Sequence, residues 1–99
     1  DQTMSSMLFR LGQIVATPGA LDLMTRGRVS PARLLALHVS LDPGELTEED
    51  QKANIEAAVC GSRIFSAFKV EGERIWVITE AEDDAGLRQS TCILLPEEY

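Results

Sequence analysis

Ser62 to Thr79, SRIFSAFKVEGERIWVIT, is the stretch on which the fold turns. Apolar side chains recur at every second position on either side of Glu71-Gly72, the period of a pleated strand and not of a helix. Glu71-Gly72 then reads as a two-residue hairpin connection joining strands Ser62 to Val70 and Glu73 to Thr79. In that register Phe68 faces Ile75, Ser66 faces Val77 and Ile64 faces Thr79. The opposite side carries Ala67 with Trp76, Phe65 with Ile78 and Arg63 with Glu80. Both faces of the hairpin are apolar near their middle, so both need cover.

Downstream, a polar and acidic loop from Glu82 to Gln89 leads to a last strand, Thr91 to Leu95, which Pro96 stops. Upstream lie three helices, each with its own start signal. Thr17 caps and Pro18 opens a helix to Arg26, closed by Gly27. Ser30 and Pro31 repeat the device for a helix through Ser40, stopped by Pro43 and Gly44. This second helix, apolar on nearly every side apart from Arg33, His38 and Ser40, is expected to be the central buried one. Thr47 starts the third, with Glu48, Glu49 and Asp50 in the first turn where the helix dipole favours negative charge, and Gly61 ends it. Its expected apolar stripe is Ile55, Ala58 and Val59. Ahead of all three, Met7 to Val15 reads as a strand.

The expected architecture is one α+β domain over residues 1–99: an N-terminal strand, three short helices, then a three-stranded antiparallel β-meander. Met4 reads as the natural start, so residues 1–3 are expected to carry no function. Neither a secretory leader nor a membrane-spanning run is expected. Cys60 ends a helix and Cys92 lies inside a strand, so no disulfide is expected and the compartment implied is a reducing cytoplasm.

Charge is unevenly spread. The total is −7, but residues 1–41 hold four arginines against two acidic groups, while residues 42–99 hold five basic groups against fourteen acidic ones. Such a surface repels nucleic acid and membranes and draws basic partners by speeding their encounter. The chemistry expected of the chain is sparse. His38, the single histidine, sits on an apolar helix and reads as a satisfied core residue, without the positioned partner of a general base. Helix-end and strand settings disfavour a thiolate at Cys60 and Cys92. Too few ligands exist for zinc, and the cluster Glu80, Glu82, Asp83, Asp84 lacks the spacing of a calcium loop. Neither a cofactor nor a metal is expected, and no enzyme activity.

Three stretches carry a resemblance: LGQIVATPGAL (Leu11 to Leu21), RIWVITEAE (Arg74 to Glu82) and ILLPEEY (Ile93 to Tyr99). Together they resemble a family of short uncharacterised proteins carried on bacterial plasmids and integrative elements, often labelled simply "plasmid-related". The resemblance implies an accessory protein of mobile DNA in a bacterial cytoplasm and supplies no catalytic residues. The loop Asp83 to Arg88 is longer than the family pattern.

Two functional expectations follow. In the first, the chain binds a protein partner, blocking a host defence or restriction complex by occupancy. Phe65, Trp76 and Ile78 would be its apolar anchor, and Glu80, Glu82, Asp83 and Asp84 its complementary charge. For the second face, cover by the N-terminal segment is expected ahead of cover by a second copy in a homodimer or by another partner. In the alternative, the first two helices form a helix-turn-helix in which Arg26, Arg28 and Arg33 meet DNA, against the sign of the overall charge.

Overall fold

The computed structural model describes residues 9–42, 44 and 46–99. Met4, the Met7–Leu8 start of the expected first strand, and Pro43 as a helix stop lie outside the described residues. In chain order the elements are β1 (Gln13–Ala16), α1 (Pro18–Arg26), α2 (Pro31–Val39), α3 (Glu48–Cys60), β2 (Ile64–Val70), β3 (Glu73–Thr79), β4 (Ser90–Leu94) and a 3-10 turn, Pro96–Glu98.

β2 and β3 pair antiparallel in the register read from the sequence, with Phe68 opposite Ile75, Ser66 opposite Val77 and Ala67 opposite Trp76. The connection works because Glu71 and Gly72 both take positive φ, 51° and 77°, which matches the twist of the strands they join. β4 adds antiparallel to β3, Val77 facing Ile93 and Thr79 facing Thr91.

The first strand departs from expectation. It spans Gln13–Ala16 only, and it does not stand apart from the meander: it pairs parallel with β4, making a four-stranded mixed sheet of order β1-β4-β3-β2. The late start has a steric cause at Gly12, where φ is +66° and an added Cβ would lie 2.3 Å from the Arg88 carbonyl. The chain crosses another backbone there and extends only beyond it. Parallel pairing needs a long crossover, and the three helices between β1 and β2 provide it.

All three helices begin on a side-chain cap: Thr17 accepts from the Ala20 N–H, Ser30 from Arg33 and Thr47 from Asp50. α1 and α2 bury one stripe each: Leu23 and Met24, then Leu34 and Leu35, pack against Phe68, Val70, Ile75, Val77 and Ile93 of the sheet, and His38 and Val39 of α2 are buried beside them. α2 is therefore not enclosed as expected: Ala32, Arg33 and Ala36 are exposed. Alanine is small enough to stand at a surface at little cost, so its presence on every side did not signal burial. The chain leaves α2 through Leu41 at φ +58°, and its side chain packs on a second cluster of Phe9, Val39, Ala57 and Ile64.

α3 corrects the expected stripe at two of its three residues, while Ala58 packs against the second cluster as expected. Ile55 is 56% exposed and Val59 84%, while Asn54 and Ala57 face inward. The rotation of this helix is set by hydrogen bonding. Its Asn54 amide lies along the outer edge of β2, accepting from the Phe65 N–H at 3.1 Å and donating to the Phe65 carbonyl at 2.5 Å. A strand edge leaves such groups without partners, and one amide side chain supplies both a donor and an acceptor.

Beneath the helices runs a buried polar chain. Thr91 Oγ1 donates to the Leu11 carbonyl at 2.7 Å, which commits its only proton. Thr79 Oγ1, 2.7 Å away, must then donate to Thr91 and accept from His38 Nε2, also at 2.7 Å. That leaves His38 Nδ1 bare to accept the Ser66 hydroxyl at 2.6 Å. His38, Ser66, Thr79 and Thr91 are all fully buried. The imidazole is thereby held neutral with its proton on Nε2, and desolvation, helped by the Arg88 charge, pulls it from its ordinary 6.5 to about 4.

Candidate functional site

The helix-covered face accounts for both core clusters, and none of the other face's residues belongs to either. That second face carries Phe65 and Ala67 from β2, Trp76 and Ile78 from β3, and Cys92 and Leu94 from β4, as the registers require. The described part of the N-terminal segment lies elsewhere, because Phe9 packs in the second helix-side cluster and β1 extends the sheet sideways. What reaches over it is the chain end. Pro96 begins the 3-10 turn, and Tyr99 comes to rest edge-on to Trp76, centroids 5.8 Å apart and planes at 71°.

The turn is pinned by Glu98. Its carboxylate accepts from the Thr17 hydroxyl at 2.5 Å, the Gly19 N–H at 3.2 Å and the Leu95 N–H at 3.0 Å, so an anion from the chain end sits at the start of α1. The Thr17 bond, followed by that of Leu95, lowers the carboxyl's pKa.

Phe65, Trp76 and Tyr99 form a run of near-perpendicular rings, the first pair 5.1 Å apart at 82°. With Ile78 at the base and Arg63 at the side they line a groove of about 280 Å³. The Arg63 guanidinium lies over the Tyr99 ring, 5.7 Å from its centroid. Trp76 and Phe65 are half-buried, Ile78 is buried and Tyr99 is 68% exposed.

The expected anchor residues Phe65, Trp76 and Ile78 therefore meet at one place. The four expected carboxylates do not. Glu80 follows Ile78 on the groove side of β3, and with Glu98 it adds to the burial that raises the Cys92 thiol on this face. Glu82 turns away to Arg88 at 4.0 Å. Asp83 folds its own loop, accepting from the Ala85 and Leu87 N–H groups and from Gln89, and the Leu87 bond leads in lowering its pKa. Asp84 is exposed in the same loop. Among the described residues no three His, Cys, Asp or Glu side chains are grouped to hold a metal ion.

Arg63 and Tyr99 escaped the sequence reading, Arg63 as one charge among many and Tyr99 because nothing local reveals a residue that folds back past a proline. Arg88 escaped it too. Its guanidinium is buried and donates to the carbonyls of Ser62 at 2.7 Å, Glu80 at 3.0 Å and Ala57 at 3.0 Å, so it ties the end of α3 to the sheet. It also walls a larger cleft of about 510 Å³ with Phe9, Arg10, Gly12 and Leu87, but these donors are already committed within the fold.

The three arginines of the DNA-binding expectation are dispersed. Arg26 pairs with Asp22 at 2.9 Å and Glu73 at 3.4 Å, Arg28 holds φ +55° in the turn after α1, and Arg33 is exposed on the first turn of α2. Among the described residues, no helix is long and apolar enough to cross a membrane.

The stretches Leu11 to Leu21, Arg74 to Glu82 and Ile93 to Tyr99 meet in the fold: Ala16 pairs with Ile93, Trp76 with Leu94, Glu98 accepts from Thr17, and Tyr99 rests on Trp76. The last two supply Trp76, Ile78 and Tyr99 of the groove. No protein-family model, curated protein or solved structure matches this chain.

Proposed function

We propose that this protein acts by binding another protein through the aromatic groove of its second sheet face, by occupancy and without chemistry of its own. One observation carries the reading: a half-buried tryptophan stands among Phe65, Ile78 and Tyr99 on an apolar face that lies outside both helix-packed core clusters. Aromatic anchors in partly desolvated depressions are where interface energy concentrates. The anionic surplus of residues 42–99 favours encounter with a basic partner. In the setting that the resemblance to plasmid-carried proteins implies, the partner is a host defence or restriction complex. A surface rich in carboxylates imitates the phosphate charge such a complex binds.

The test is affinity capture from cells of the source organism with quantitative mass spectrometry, comparing wild type with Trp76→Ala and Tyr99→Ala. Tyr99 is exposed, so its removal leaves the core intact. A bound protein reduced about tenfold or more by both variants is the expected result, since anchor truncations cost about 2 kcal/mol or more. Recovery of the same proteins in the same amounts from all three would refute the reading.

A further inference from the structure

Arg63 stands one step beyond the Ile64–Thr79 pair, opposite Glu80 in the register of the hairpin. Yet it makes no ion pair among the described residues, and its guanidinium rests on the Tyr99 ring. The groove thus already holds a cation. An aromatic face attracts positive charge through its quadrupole, tryptophan most strongly. Rings set at 71° and 82° to their neighbours form walls of a seat, where parallel rings would make a closed stack. The long stem of an arginine or lysine has apolar surface to follow along Ile78 and Phe65. The charge around the seat agrees, with Glu80 exposed beside it and the chain at −7.

The geometry points to a cationic side chain, from an arginine- or lysine-bearing segment of the partner, as the occupant of this groove: it takes the ring face that Arg63 covers in the free protein, and Arg63 turns to Glu80. This rests on the protein-binding reading and names its ligand. Displacing Arg63 is inexpensive because a carboxylate stands opposite to receive it.

Trp76 is the chain's single tryptophan, so its emission reports on the groove directly. The intact protein is titrated with a short peptide alternating glycine and arginine, and with the same peptide carrying citrulline, which keeps the shape and loses the charge. The arginine peptide should shift the emission saturably and the citrulline peptide should bind at least about tenfold more weakly. Tyr99→Leu should weaken arginine binding roughly three- to thirtyfold. Arg63→Ala should tighten it severalfold by removing the resident cation. Circular dichroism checks that both variants keep the fold.

Equal affinity for citrulline, weaker binding by Arg63→Ala, or indifference to Tyr99→Leu would each overturn the inference. Loss of these effects while partner capture still depends on Trp76 would remove the cationic occupant and leave the binding face standing. Capture indifferent to Trp76 would remove both.

Discussion

Between pH 7 and pH 4, acid should weaken this fold chiefly through His38. His38 is enclosed between Ser66 and Thr79, beside the Phe9 ring and within the field of Arg88, and it takes up a proton only near pH 4. In the unfolded chain the same imidazole titrates near its ordinary 6.5. Between those values the unfolded state binds more protons, so the contribution of His38 is full above about pH 6.5, falls as pH drops toward 4, and levels off below. Each pKa unit is worth about 1.4 kcal/mol, so the whole window amounts to about 3 kcal/mol, of which about 2 kcal/mol is lost between pH 7 and pH 5. With a urea slope of about 1–1.5 kcal/mol/M for a chain of this size, the midpoint should fall by roughly 1.3–2 M.

Urea unfolding followed by circular dichroism at a series of pH values measures this directly, with His38→Gln as the reference. That variant breaks the chain of hydroxyls and should start about 1–3 kcal/mol less stable. Its stability should nevertheless depend far less on pH, keeping only the contribution of carboxylates such as Asp83 and Glu98, whose pKa values are lowered by folding. Parallel stability–pH curves for wild type and His38→Gln would refute the reasoning. So would an imidazole that titrates near 6.5 by NMR in the folded protein.

Two further outcomes follow from local geometry. Asn54→Ala strips the edge of β2 of its only side-chain partner at Phe65 and should cost about 1–3 kcal/mol in urea unfolding with faster amide exchange at Phe65, whereas Val59→Glu on the exposed side of the same helix should stay within about 0.5 kcal/mol. Equal effects of the two would mean that α3 is rotated otherwise. Glu71→Asn places a residue that tolerates positive φ at the first turn position and should raise stability by about 0.5–1 kcal/mol, and an unchanged or lower midpoint would show that the turn is not held at φ 51°.

From local sequence alone come the hairpin, its register and the starts of all three helices, because a period of two and a capping hydroxyl before proline are decided by a few neighbouring residues. The meeting of Phe65, Trp76 and Ile78 on one face follows from the same register. Tertiary structure decided the rest. β1 joins β4 in parallel because a crossover's destination depends on how the helices stack. α3 turns Ile55 and Val59 outward because Phe65's backbone amide and carbonyl, which no hydrophobicity pattern describes, are satisfied by Asn54. Glu82 and Asp83 leave the groove for Arg88 and their own loop, while Tyr99 and Arg63 enter it. Long-range contacts between side chains far apart in the chain are set by packing and hydrogen-bond satisfaction in three dimensions, and that information is distributed over the whole sequence rather than written in any one stretch of it.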